Sequence, residues 1–270
     1  MCIRDSYQAD PDRVYVVGGS MGAWGSMTFA SRRPDLFSAV YPDRPRFRQG
    51  NMAGVGTSPT DADTLPDGTP WRDHHDSVRF VSEHREDLPF IGWNIGRNDG
   101  FATWQEQLDM VAALTASHHG FAFAWNDGDH SSGSDASTEV MRWYPPERFA
   151  RDLSYPALGN SSIDDDLGPG DPLLGDRVGG INLGFSWTDP VDEAGRWSIE
   201  LENALATAEM TVDVTPRRAQ QFHPAPGTSV SFTTSSGQSG AIDVDGNGLV
   251  TVVGVRLTAG APTTLTLTTP

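Results

Sequence analysis

A single cysteine, Cys2, stands in a chain of 270 residues, so no disulfide can close within it. Basic side chains are also few: 19 against 36 acidic ones, for a formal net charge of −17. A surface with that balance repels phosphate backbones and anionic lipid, which argues against nucleic acid as a partner. No apolar run approaches the roughly 20 residues of a membrane-spanning helix, so no membrane span is expected. Charged residues make up only 20% and hydrophobic ones 37%. That ratio excludes a disordered polyelectrolyte and points to a folded chain of one large or two ordinary domains.

What is present opens on Met1-Cys-Ile-Arg-Asp-Ser6, which reads as the translation of an adaptor used in preparing sequencing libraries. Residues 1–6 then carry no information about the fold, and the rest has no cysteine. Further on, the β-branched and aromatic run Val14-Tyr-Val-Val17 leads into Gly18-Gly-Ser-Met-Gly22 and the small-residue run Ala23–Ser31. Strand, sharp turn and helix with a serine at the apex spell a G-x-S-x-G nucleophile elbow. A strained turn lifts the Ser20 hydroxyl clear of the sheet. Gly18 and Gly22, lacking Cβ, let strand and helix approach. The Met21 backbone N–H, at the helix start, suits an oxyanion.

Arg32-Arg-Pro-Asp35 stops that helix, and Leu36–Tyr41 reads as a buried strand. Residues 42–72 are polar and rich in Gly, Pro, Thr and Asp, a long loop that could serve as a lid. A helix is expected around Val78–Glu83, then a strand over Leu88–Ile95 ending in Gly96-Arg-Asn-Asp-Gly100. Thr103 with Glu106 forms a capping box. The helix it opens has Trp104, Leu108, Val111 and Leu114 at helical spacing and stops at Gly120. Phe121–Trp125 is a further strand. This alternation predicts a mostly parallel sheet covered by helices.

From about Tyr155 the pattern changes. Linker-like sequence over about 158–178, with Asp164-Asp-Asp166 as a solvated acidic run, gives way to short alternating runs. These are Ile181–Trp187, Trp197–Leu201, Met210–Val214, Ser229–Thr233, Leu249–Val253 and Thr263–Thr268. They predict an antiparallel β-sandwich. The division expected is therefore an α/β domain over 7–152 and an all-β domain over 153–270.

A serine nucleophile needs a histidine to take its proton and a carboxylate to orient that histidine. Asp99 follows the strand 88–95 and His130 follows the strand 121–125, in the order serine, acid, histidine. Asp127 and Asp129 are alternative acids, though adjacent to His130 in sequence. His118 and His119 at a helix end, and His74 and His75 in the long polar region, do not follow a strand in the required order. Trp24, Phe101, Trp104 and Trp125 either line a substrate pocket near Ser20 or belong to the core. No grouping has structural zinc spacing. Asp243-Val-Asp-Gly-Asn-Gly248 imitates the start of a calcium loop but lacks the closing glutamate, and a hairpin turn is the simpler reading.

With these residues in place, residues 7–149 resemble the C-terminal part of the α/β-hydrolase superfamily. They are most similar to esterases of the polyhydroxybutyrate-depolymerase and feruloyl-esterase type and their prolyl-oligopeptidase-like relatives. The stretches that carry the resemblance are Asp10-Pro-Asp-Arg-Val-Tyr-Val-Val-Gly-Gly-Ser-Met-Gly-Ala-Trp-Gly25, the Gly96–Asp99 turn and Gly128-Asp-His130. The resemblance implies Ser20 as nucleophile, Asp99 as acid, His130 as base and Met21 N–H as one oxyanion donor. It implies a serine esterase with no cofactor, acting on a small-molecule or polymeric ester, secreted or in the cell envelope of a bacterium. In that superfamily the elbow follows the fifth strand, so earlier strands and a second oxyanion donor are expected upstream. A prolyl-oligopeptidase-like peptidase and a non-catalytic binding protein on the same scaffold are the alternatives.

Overall fold

The computed structural model describes residues 9–48, 63–84, 86–131, 135–171 and 173–270, with only the backbone of residues 135–138. The hexapeptide 1–6 and positions 49–62 of the expected long loop lie outside the described residues. The first half alternates strand and helix: β1 (Tyr15–Gly19), α1 (Met21–Arg32), β2 (Ala39–Asp43), α2 (Trp71–His74), α3 (Ser77–Glu83), β3 (Phe90–Gly96), α4 (Trp104–Ala116), β4 (Phe121–Asn126) and α5 (Asp135–Trp143). Strands β1 to β4 lie side by side in chain order, all parallel. The chain then forms β5 (Tyr155–Gly159) before β6 (Gly179–Ile181) returns to the same sheet, antiparallel to β4.

Side-chain size sorts the two faces of this sheet. Ile91, Trp93 and Ile95 of β3, with Phe121, Phe123 and Trp125 of β4, enter one core with residues of α1, α3 and α4. Each buried ring of this kind removes enough surface from water to contribute roughly 4–6 kcal/mol before ordering entropy. On the opposite face stand Ala39, Tyr41, Phe90, Ala122 and Ala124, packed with Val140 and Tyr144. Gly92 belongs to that face, where a Cβ would lie 2.7 Å from Val140 Cγ1. Small residues there let α5 settle against the strands. Strand β3 is buried along its whole length, whereas β1, at the sheet edge, leaves Tyr15 50% and Val17 54% exposed.

The second half is built from β7 (Phe185–Trp187), β8 (Val191–Glu193), β9 (Arg196–Asn203), β10 (Met210–Arg217), β11 (Ser229–Thr234), β12 (Ser239–Asp243), β13 (Val252–Leu257) and β14 (Thr263–Thr268). One antiparallel sheet has the order β13-β10-β5; a second has the order β12-β11-β14-β9-β7, with β8 on β9. Trp197, Ile199, Leu201, Val212, Val214, Val255, Leu265 and Leu267 form their shared core. That core is continuous with the α5 face of the parallel sheet, so the two halves are packed together rather than strung on a linker.

Several local expectations change. The run Ile181–Trp187 is two strands in different sheets, because Asn182 (φ 56°) and Gly184 (φ 83°) turn the chain between them. The stretch 158–178 is no free linker: β5 occupies its start, and Asp164, Asp165 and Asp166 accept backbone N–H bonds from Asn182, Gly180 and Gly168. Helix α4 stops before Gly120, at Ser117, and His118 takes the left-handed position (φ 53°). Gly120 is instead required by packing, since a Cβ there would lie 2.4 Å from the Tyr155 ring. Thr103 caps α4, but Glu106 does not complete the box. Its buried carboxylate accepts the Phe47 N–H at 3.1 Å, and burial raises its pKa. The turn at Asp243–Gly248 joins β12 to β13, which lie in different sheets, so it is a crossover and not a hairpin. Asp245 closes it by accepting from Asn247 N and Leu249 N.

Candidate active site

Ser20 sits between β1 and α1 with φ 54° and ψ −115°, a conformation unfavourable for a residue with a Cβ. Three backbone bonds hold it there: its N–H donates to Asp43 O at 2.9 Å, while Ala23 and Trp24 N–H donate back to its carbonyl. A serine at this helix position ordinarily caps the first turn with its hydroxyl. Here the side chain makes no capping bond and turns away from the helix. Met21 and Gly22 are left as the first N–H groups of α1. Of the two elbow glycines only Gly18 is sterically required. A Cβ on Gly18 would lie 2.1 Å from Gly22 O, whereas one on Gly22 would meet nothing within 4 Å.

The Ser20 hydroxyl lies 2.7 Å from His130 Nε2, and His130 Nδ1 lies 2.7 Å from Asp99 Oδ2. A carboxylate can only accept, so Nδ1 carries the proton toward Asp99 and neutral Nε2 accepts from the hydroxyl. Asp99 has a side chain only 1% exposed, and its other oxygen accepts the N–H groups of Phe101 and Ala102 at 2.8 and 3.0 Å. Its loop is stitched to the loop of His130. Arg97 N donates to Asn126 O, Asn98 N to Gly128 O, and the Asn98 side chain to Asp127 O. Gly96 permits this approach, since a Cβ there would stand 2.4 Å from Gly128 O. From the other side Arg44 Nη1 donates to His130 O at 2.9 Å. All three loops lie at the C-terminal ends of parallel strands, where ligands of such sheets bind.

The remaining candidates separate. Asp127 pairs with Arg177, and Asp129 accepts from Ser131, so neither serves His130. His119 is buried near the His84 carbonyl, while His74 and His75 meet edge to face and the His75 ring packs at a tilt against Trp24 and Trp71. Burial lowers the His75 pKa to about 4. Of the four aromatics, Phe101 is 54% exposed with its ring 4.8 Å from the His130 ring. Trp24 lies one turn along α1 from Ser20, its ring tilted against that of His75, and its indole N–H has no partner among the described residues. Trp104 and Trp125 are core residues, donating to Leu167 O and Asp176 O. Among the described residues no group of acids, histidines or cysteines could hold a metal ion, and no helix is long and apolar enough to cross a membrane. The sequence marks Gly96 and Arg97 only as part of the turn before Asp99, with no role of their own, and does not single out Arg44. Only their position beside Pro42-Asp43 and Asn98-Asp99 hinted at them, because a buried arginine has no periodic signature.

A serine at a strained strand-to-helix turn, facing an imidazole and a carboxylate across parallel strand ends, defines the class of α/β-hydrolase-like serine hydrolases. The chain belongs to the prolyl oligopeptidase family, whose model matches residues 2–146. No curated protein matches it. Among solved structures it is similar to a ferulic acid esterase (20% identity, TM-score 0.39, covering 54% of this chain and 55% of the other). It is similar also to FphF, a fluorophosphonate-binding serine hydrolase of Staphylococcus aureus in substrate-bound form (19%, TM-score 0.37, 48% and 52%). A third is the S-formylglutathione hydrolase FrmB of Staphylococcus aureus (22%, TM-score 0.35, 47% and 50%). The chain thus spans about half the length of the solved structures it matches.

Proposed function

We propose that this chain carries the nucleophile, base and acid of a serine hydrolase that cleaves carboxylic esters through an acyl-enzyme. The observation that carries the reading is the unbroken line from Asp99 through His130 to Ser20, with both contacts at 2.7 Å. Ser20 Oγ attacks the ester carbonyl while His130 Nε2 takes its proton, and Asp99 steadies the imidazolium. The Met21 N–H receives the developing oxyanion. His130 then protonates the departing alcohol, and water attacks the acyl-enzyme with the same residue as base. Phe101, exposed beside the imidazole, is a wall against which the substrate packs, with Trp24 as a second candidate. Residues 153–270 are read as an accessory β-sandwich that packs on the catalytic part, and the ester is small or polymeric.

Membership of the prolyl oligopeptidase family favours a second reading, a peptidase using the same three residues. A fluorophosphonate probe tests the shared chemistry: labelling at Ser20, lost in Ser20→Ala, is expected. A chain that does not label is a binding protein on this scaffold, which refutes both readings. Turnover of p-nitrophenyl esters in preference to peptide p-nitroanilides supports the esterase, and the reverse preference the peptidase.

A further inference from the structure

Residues 165–171 and 173–178, between β5 and β6, wrap around one buried side chain of the catalytic-acid loop. Arg97, two residues before Asp99, is only 6% exposed. Its Nη1 donates to Leu167 O and Asp176 O at 3.0 and 3.1 Å, and its Nη2 to Asp171 O at 3.1 Å and to Leu174 O. The guanidinium also lies 4.6 Å over the Trp104 ring. Both tryptophans that donate into this strap, Trp104 to Leu167 O and Trp125 to Asp176 O, come from the parallel-sheet half. On the far side of the strap Arg177 pairs with Asp127 in the loop that carries His130. The wrap is tight: at Gly168 (φ 64°) a Cβ would lie 2.3 Å from Leu174 O and 2.8 Å from Arg97 Nη2.

A planar guanidinium engaged by four carbonyls has one orientation available, and loosening any of them leaves a buried donor unmet. The backbone of Arg97 in turn donates to Asn126 O, at the root of the His130 loop. We infer that the 165–178 strap, closed on Arg97, holds the Asp99 and His130 loops in register, which makes Arg97 a positioning residue for the triad. This rests on the serine-hydrolase reading above. It assigns the segment between β5 and β6 a part in the chemistry, not only in packing.

Two variants of the full chain test it. Arg97→Lys keeps the charge but cannot span four acceptors, and Gly168→Ala forces the strap open by crowding Leu174 O and the Arg97 guanidinium while leaving the sequence of the acid loop unchanged. Per fluorophosphonate-titrated site, kcat for a p-nitrophenyl ester is expected to fall on the order of 10- to 100-fold with KM nearly unchanged, the usual result of small misplacements. Unchanged per-site kcat in both variants, a rise in KM with kcat kept, or a loss only in the number of titratable sites, would overturn the inference. The downfield resonance of the His130 Nδ1 proton reads the Asp99 contact without turnover. It should shift upfield or vanish in both variants, and an unchanged resonance overturns the inference even if no ester is cleaved. Absent labelling of the unaltered chain refutes the hydrolase reading separately.

Discussion

Asp164 offers the sharpest test of how the two halves are joined. Its carboxylate sits where the chain leaves β5, accepting the Asn182 N–H at 2.7 Å. Asn182 is fully buried, and its side-chain amide donates to Phe121 O of β4 and Leu158 O of β5, tying the two sheets together. Burial raises the Asp164 pKa from 3.8 to about 7, outweighing the N–H bonds that oppose the shift, and the neighbouring Asp165 adds to the rise. The native state therefore keeps a proton that the unfolded chain has released once the pH passes about 4. Stability from this group is complete below that point and is lost as the pH climbs through about 7. At about 1.4 kcal/mol per pH unit across that window, its full ionisation costs on the order of 4 kcal/mol. Asp164→Asn cannot ionise, and its amide oxygen can still accept from Asn182. Urea unfolding followed by tryptophan fluorescence at a series of pH values gives the stability of each protein, and subtraction cancels the other titrating groups. The variant should gain on the parent chain by about 4 kcal/mol between about pH 4 and pH 8 and then level off. A difference that stays flat, or that falls as the pH rises, would refute the argument from burial.

Asp99→Asn should keep the fold but deprive His130 of its anionic partner, favouring the wrong tautomer. In serine proteases that change lowers kcat on the order of 10⁴-fold. A rate for ester cleavage or probe labelling within about tenfold of the parent would remove Asp99 from the mechanism. Gly18→Ala should cost about 1–3 kcal/mol, because the new methyl would meet the Gly22 carbonyl at 2.1 Å and backbone cannot rotate away. Gly22→Ala meets nothing and should be neutral or slightly stabilising. Equal urea midpoints for the two variants would show that the elbow has slack the geometry denies.

The elements with strong local signals were legible before any coordinates. The elbow, the Thr103 cap and the strands around Trp93 and Phe123 announce themselves through turn chemistry and runs of buried side chains. So does the order of Ser20, Asp99 and His130, because the fold puts each on a loop after a strand. What stayed hidden depends on partners distant in sequence. Whether Ile181–Trp187 is one strand or two is decided by where β4 and β9 offer free edges, not by its own alternation. The sequence leaves Trp104 and Trp125 open between pocket and core, and their bonds to the carbonyls of Leu167 and Asp176 place them in the core as anchors. Gly120 looked like a helix stop because a glycine after a helix usually is one; the ring that requires it belongs to Tyr155, 35 positions later by their numbering.

The same reasoning applies to Asp164, the one member of the acidic run that is not solvated. Three consecutive aspartates are usually solvated, since each buried carboxylate must find donors. Asp165 and Asp166 are indeed exposed while accepting the Gly180 and Gly168 N–H groups, and only Asp164 is drawn inward, onto the Asn182 N–H. A second contact across the halves follows the same logic: Asp87, just before β3, accepts from Arg217 Nε at 2.7 Å and Arg218 N at 3.0 Å. Arg217 is among the largest fully buried side chains, and Arg218 reaches on to Phe37 O. Replacing such groups with apolar ones of like size can leave stability unharmed, whereas removing one partner strands a buried charge. The join between the halves therefore depends on polar groups of definite geometry as well as on the shared apolar core. Composition alone cannot forecast such a join, because it depends on which carbonyls and amides happen to face each guanidinium and carboxylate.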